Sequence, residues 1–234
     1  MPSCISVHGN PNSAEFIDKN AVFVSKNHAK RHNAQAFVHN GLDWDDYGAV
    51  NLAERRDYFH FLGKAAWRVK NVKGAIDTIT KVKGEKIHVL GGTRLNINMG
   101  FRFTWHPRAK FFGMVGGKEK LTQLQHSKGL VFPVRWHEPF GLAIIESLYF
   151  GAPVFGTPYG SLPELVQEDV GFLSHSSARL SEAIAQYQDY NPKTCHDYAA
   201  THFNAEVMSK AYLNLYEKVM NGEKINQSTP AKIL

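Results

Sequence analysis

The sequence predicts an α/β fold, a parallel sheet flanked by helices, from three observations. Residues 57–63, DYFHFLG, form an aromatic-rich apolar run that closes on Gly63. A helical pattern follows from about Asn71 to Lys81, with Val72, Ile76 and Ile79 on its buried face, and then IHVLGG at 87–92, another apolar run ending in glycines. Strand, helix and strand in that order call for parallel pairing with a right-handed crossover. The ligand crevice of such a sheet lies at the carboxyl ends of its strands, where Lys64 and Lys70 fall.

Taken in order, residues 1–10 contain a short strand, CISVH, that ends in a Gly-Asn turn. AVFVS at 21–25 is a second strand, and FVHNGLD at 37–43 a third with an Asn-Gly turn. Asp43-Trp44-Asp45 is a D-x-D string. It follows a turn rather than a strand, so it reads as turn and helix-start chemistry instead of a metal site. Residues 93–110 have no clear counterpart in the pattern, and Asn96-Ile97-Asn98 and Trp105 have no assigned role. After FFGMVG at 111–116, GGKEKLTQLQHS opens a helix with Leu121 and Leu124 inward. GLVFPV at 129–134 is the next buried strand and delivers Arg135, Trp136, His137 and Glu138 to its end.

Residues 137–167, HEPFGLAIIESLYFGAPVFGTPYGSLPELVQ, read as loop, helix, stop, buried strand and turn-rich loop. Leu142, Ile145, Leu148 and Tyr149 give the helix its buried face; Gly151 and Pro153 end it. Glu146 lies about one turn inside. Its Cβ tilts toward the helix N-terminus, back toward Glu138. The free amides around Gly141 and Leu142 make an anion site beside these two acceptors. A ligand with both hydroxyls and phosphate suits that combination, and a nucleotide sugar is one. Further on come a strand at 170–174, a helix capped by Ser176 or Ser177, a helix opened by Asn191-Pro192, and an amphipathic helix over roughly 204–221 bearing Val207, Tyr212, Leu213 and Tyr216. The tail reads as polar and frayed.

EPFGLAIIE, FGAPV and GSLPE closely resemble, in order, the signature of glycosyltransferase family 4, retaining nucleotide-sugar-dependent enzymes of GT-B architecture. The resemblance implies a Rossmann-like donor domain, the C-terminal half of a GT-B enzyme, at 49–203. Residues 1–48 would be a remnant of the acceptor domain and hinge, 204–222 a crossing helix and 223–234 the frayed tail. It implies a hexosyltransferase, incomplete without an N-terminal domain, that uses a UDP-sugar first and GDP-mannose next, with no metal or other cofactor. Lys64 stands where the family has an arginine and Lys70 at its lysine; both would neutralise the departing diphosphate. Lysine offers a point charge in place of arginine's planar fork. Glu138 would hold the donor sugar, Glu146 the ribose, Phe140, Gly141 and Leu142 the phosphates, and Met114 and Val115 the base. His8 matches the family's acceptor-side histidine or is simply a strand-end histidine. The acceptor would be a glycan, a lipid-linked group or a small molecule. A half-domain would expose apolar surface, which implies self-association or a partner chain. The alternative is a non-catalytic nucleotide-sugar-binding module; a phosphorylase or epimerase half fits less well.

Composition sets the outer limits. The 234 residues are 43% hydrophobic, enough for a real core. Cys4 and Cys195 lack disulfide or zinc spacing, and the twelve histidines are dispersed. The net charge of +6 favours anionic partners, but no basic helix with interleaved aromatics points to nucleic acid. No apolar run spans a membrane and no leader pattern opens the sequence. The expected location is cytoplasmic, with a peripheral position at a membrane surface as a variant.

Overall fold

A computed structural model describes residues 3–11, 17–97 and 101–231. Asn98, within the segment without an assigned role, and the ends of the chain at 1–2 and 232–234 lie outside the described residues.

The main sheet is parallel and six-stranded. Its strands are β3 (Tyr58–Leu62), β4 (Ile87–Leu90), β7 (Ala109–Phe111), β8 (Ser127–Phe132), β9 (Val154–Gly156) and β10 (Gly171–Leu173), ordered β10-β9-β8-β3-β4-β7. The chain begins in the middle at β3 and builds outward through β4 to β7. It then returns to the other side of β3 and builds through β8 and β9 to β10. The direction of growth therefore reverses between β3 and β8, and a crevice opens where their carboxyl ends diverge. Right-handed crossovers running in opposite directions place their helices on opposite faces. Accordingly α2 (Val72–Thr80) packs with α6 (Ser177–Ala185), while α4 (Leu142–Tyr149) packs with α7 (Pro192–His202). Covered on both faces, the strands are largely apolar; Phe59, Phe61, Phe132 and Phe155 are fully buried. The expected caps are in place: Ser176 on α6 and Asn191 on α7, with Asn71 capping α2 from a left-handed conformation. Asp43 of the D-x-D string caps a 3-10 turn at Trp44–Tyr47. The helix after FFGMVG is α3 (Gly117–Gln125), with Leu124 fully buried and Leu121 partly so.

The N-terminal segment is a small unit of its own. β1 (Ile5–Val7) pairs in parallel with β2 (Ala21–Phe23), and α1 (Lys26–Lys30) follows, a helix the periodicity did not predict. The expected third strand at 37–43 is not formed. Phe37 makes one isolated bridge to Phe23 and Leu42 another to Asn204; the expected Asn40-Gly41 turn is not formed either, and Gly41 instead packs on the backbone of Asn204, just before α8 (Ala205–Met220). The last helix touches the N-terminal segment: the Ser6 hydroxyl donates to Tyr212 Oη at 3.0 Å. Its amphipathic face is less covered than its pattern suggests, with Val207, Leu213 and Tyr216 all exposed. The tail described up to residue 231 is docked rather than frayed. Asn226 is fully buried; its Oδ1 accepts from the amides of Gln35 and Ala36 and its Nδ2 donates to the carbonyls of Lys19 and Ala21. A four-bond fit of a side-chain amide cannot be read from composition. Residues 93–110 hold another unpredicted element, an antiparallel hairpin of β5 (Leu95–Asn96) and β6 (Arg102–Phe103). Among the described residues no helix is long and apolar enough to cross a membrane.

Two imidazoles are built into this core as neutral groups. Burial holds His28 down at about 4, with His32 alongside adding to the effect. Burial also holds His60, whose Nδ1 lies 2.6 Å from Ser127 Oγ, at about 3. In the unfolded chain each takes up a proton near pH 6.5, so between that value and the folded one the unfolded state binds more protons. Stability is full above about pH 6.5 and falls as pH drops, by about 2 kcal/mol per ring at pH 5. Urea unfolding at pH 7.5 and pH 5 measures this loss, and His28→Phe makes the profile shallower. Equal stability at both pH values contradicts neutral burial.

Candidate active site at the sheet switch point

The crevice between β3 and β8 is walled by the segments that leave those strands. After β3 the chain passes Gly63 and Lys64 and makes a 3-10 turn, Arg68–Lys70, before α2. Lys64 is exposed, its Nζ 5.3 Å from the centre of the Trp67 ring. Lys70 reaches across to the β8 side. Its Nζ lies 5.3 Å from the Phe132 ring and 5.0 Å from the Trp136 ring, and it pairs with Glu138 Oε2. The Trp136 indole Nε1 donates to the same oxygen at 2.8 Å.

Glu138 is 7% exposed and sits on a bend whose carbonyls are each held in turn. The Ser161 amide donates to Glu138 O at 3.0 Å, the Ser25 hydroxyl to Pro139 O at 2.6 Å and the Ser161 hydroxyl to Phe140 O at 2.6 Å. The GSLPE loop comes this close because Gly160, at φ +65, presses on the backbone of Glu138; a Cβ there would lie 2.3 Å from Glu138 N and O. Glu164, in a short helix, α5 (Leu162–Leu165), that forms where the sequence predicts only loop, accepts from the amides of Lys26 and Asn27 at the start of α1 and lies 3.3 Å from His39 Nε2.

α4 begins at Gly141, in the left-handed region at φ +89, so its first amides face the crevice without capping side chains. Glu146, one turn in and 7% exposed, takes two donors on Oε1: Tyr47 Oη at 2.5 Å and Lys120 Nζ at 2.6 Å. Burial, then the hydrogen bond to Glu146, push the Tyr47 phenol far up, so it stays a donor at any working pH. The two carboxylates are thus built alike. One oxygen of each is committed to a lysine and an aromatic N–H or O–H. The other takes no side-chain or backbone hydrogen bond among the described residues, yet neither is sealed from solvent.

His8, Lys64, Lys70, Glu138, Phe140, Gly141, Leu142 and Glu146 all border one cleft of about 480 Å³. Met114 and Val115 do not line it; Met114 is exposed and Val115 packs partly on the core. Tyr47, Trp67, Lys120 and Trp136 are the residues sequence reasoning missed. Lys120 lies a turn into α3 and Tyr47 in a distant turn, and neither belongs to a motif; the tryptophans adjoin motif lysines and glutamates, which was the available signal. No grouping of three or more His, Cys, Asp or Glu side chains suited to a metal occurs among the described residues. Cys195 is buried, and burial pushes its thiol up to about 12.

A family model described as glycosyl transferases group 1 matches residues 56–189, more than half of the chain. The chain belongs to that family. No curated protein matches it in sequence. Among solved structures it is similar to AviGT4, a glycosyltransferase involved in avilamycin A biosynthesis, at 16% identity and a TM-score of 0.77, covering 94% of this chain and 68% of that one. It is also similar to sucrose-phosphate synthase from Thermosynechococcus elongatus, at 16% identity and a TM-score of 0.69, covering 87% and 59%. A third is HepE from Anabaena in complex with UDP-glucose, at 16% identity and a TM-score of 0.68, covering 84% and 63%. These likenesses establish the GT-B Rossmann-like architecture for a chain that spans about three fifths of the sucrose-phosphate synthase structure. The matched family region begins just before β3 and ends just after α6, so it contains Lys64, Lys70, Glu138 and Glu146 but not Ser25.

In this group 1 chain the segment around Glu164 is tied to the N-terminal segment. Burial raises the Glu164 carboxyl, but hydrogen bonds from His39 and the amides of Asn27 and Lys26 outweigh it and leave the group below the ordinary carboxylate range. Its clamp therefore holds above the unfolded value near pH 4.3 and is lost as pH falls through the folded one. Glu164→Gln at pH 7 is expected to speed hydrogen exchange at the Lys26 and Asn27 amides about fivefold, a loss of about 1 kcal/mol. The difference from wild type narrows below pH 4. Unchanged exchange at pH 7 contradicts the clamp.

Proposed function

We propose that this chain carries the donor site of a retaining, metal-independent glycosyltransferase acting on a nucleotide diphosphate sugar, UDP-linked first. One observation carries the reading. Two lysines, the free amides of α4 and two half-committed carboxylates converge on one cleft at the switch point of the sheet. As the bond from the anomeric carbon to the diphosphate breaks, negative charge grows on the leaving group. Lys64, the two remaining N–H donors of Lys70 and the amides at Gly141 and Leu142 stabilise it in place of a metal. The free oxygen of Glu146 accepts from the ribose hydroxyls, and that of Glu138 from the donor sugar. The UDP-glucose complex of the Anabaena relative supports the choice of UDP.

The acceptor side is sparser. His8, Gly9 and Asn40 are what the N-terminal segment brings to the cleft. Positioning an acceptor is a large share of such a barrier. A second reading follows: a nucleotide-sugar-binding subunit completed by a partner chain. The exposed Ile5, Leu213 and Tyr216 beside β1 and on α8 favour it.

Calorimetric titration of the chain with UDP, GDP and ADP in EDTA tests the donor site. One nucleotide is expected to bind. Glu146→Ala and Lys120→Met should each weaken it about tenfold or more, since each disturbs a charge-assisted hydrogen bond. Glu138→Ala should affect sugar transfer more than nucleotide affinity. The reverse pattern, or a folded chain that binds none of the three, overturns the assignment.

A further inference from the structure

The hairpin of β5 and β6 lies outside the donor cleft, and its apolar side chains are on its surface. Leu95 pairs with Phe103 and Asn96 with Arg102 across the two strands. Directly paired residues share a face and alternate residues return to it. Leu95, Ile97, Phe101, Phe103 and Trp105 therefore fall on one side, while Thr104 turns inward and is buried. Those side chains are 46%, 67%, 75%, 61% and 60% exposed. A contiguous face of this kind marks an interaction site, since nothing in the fold gains from leaving it in water.

Charge indicates what covers it. Phe101 lines a cavity of about 370 Å³ with the exposed Arg68, Lys73 and Arg135; Asp77, paired with Lys73, is the carboxylate there among the described residues. The chain as a whole carries +6. Aromatic and aliphatic side chains on one face, bordered by cations, match the boundary between anionic headgroups and acyl chains, where rings sit at headgroup depth and each cation adds attraction.

We infer that this hairpin is a docking element for an anionic lipid surface, seating Leu95, Ile97, Phe101, Phe103 and Trp105 in the interface with Arg68, Lys73 and Arg135 against the headgroups. It does not depend on the sugar-transfer reading, because no residue of the cleft is used. It gives a physical role to the segment for which no motif accounts.

Co-sedimentation with vesicles tests it, using phosphatidylcholine alone and phosphatidylcholine with about one third phosphatidylglycerol. The wild-type chain is expected to partition onto the anionic vesicles, to prefer them over neutral ones, and to come off as salt approaches about 0.5 M. Phe103→Ser with Trp105→Ser, and separately Arg68→Glu with Lys73→Glu, should each lower partitioning about tenfold. Their thermal unfolding should match wild type because the altered side chains are exposed. A second measurement needs no multiple variant: lipids brominated along the acyl chain quench wild-type tryptophan fluorescence, and Trp105→Phe removes that quenching. Three results overturn the inference. They are no binding to anionic vesicles, binding and quenching indifferent to these substitutions, or a wild-type oligomer that Phe103→Ser with Trp105→Ser converts to a monomer while vesicles are ignored.

Discussion

The carbonyls of Glu138, Pro139 and Phe140 run through the buried bend between β8 and α4, where neither sheet nor helix satisfies them. A buried carbonyl without a partner costs on the order of 1–3 kcal/mol, so three in succession could not persist unaided. Ser161 supplies an amide and a hydroxyl, and Ser25 supplies a hydroxyl from a segment more than a hundred residues earlier. Everything that follows at the site depends on this bend. It sets where the Glu138 carboxylate emerges and the direction in which the first amides of α4 point. It also explains why the small N-terminal unit stays attached: Ser25 caps α1 while it holds the bend, and Glu164 grips α1 from the other side.

Within that frame the two carboxylates are arranged on a shared plan. A buried carboxylate needs a countercharge and hydrogen-bond donors, yet a binding carboxylate needs a lone pair to spare. Committing one oxygen to a lysine and an aromatic donor meets the first need and leaves the other oxygen for a hydroxyl. Glu138 does this with Lys70 and Trp136, and Glu146 with Lys120 and Tyr47. The result is that both carboxylates are charge-paired before any ligand arrives, which reduces the reorganisation required on binding.

Away from the cleft, the outer face of α8 and the hairpin before β7 both leave apolar surface exposed. They differ in setting. The α8 face adjoins the edge of the two-stranded N-terminal sheet, an arrangement that suits more protein. The hairpin adjoins arginines and lysine, which suits anionic headgroups. The same physical effect, exposed apolar area, points to different occupants because the neighbouring charge differs.

The sheet, its helices and the glutamates, lysines and glycines of the cleft were legible in the sequence because they follow local rules. Apolar runs and helical spacing placed β3, α2, β4, β8 and α4 within a residue or two, and caps such as Asn71, Ser176 and Asn191 stood where their chemistry requires. EPFGLAIIE carries its own geometry, since one helical turn fixes Glu146 relative to Gly141. What only the tertiary structure decided are meetings between residues far apart in the chain. Lys120 and Tyr47 reach Glu146 from separate elements, and Asn226 reads four backbone groups of the N-terminal segment. In place of the expected strand at 37–43, Gly41 packs on Asn204 and Leu42 bridges to it. The face of β5–β6 emerges only once Leu95 is paired with Phe103. Periodicity reports which side chains share a face of one element; it carries no information about which distant element will close on that face, because that is set by packing of the whole chain.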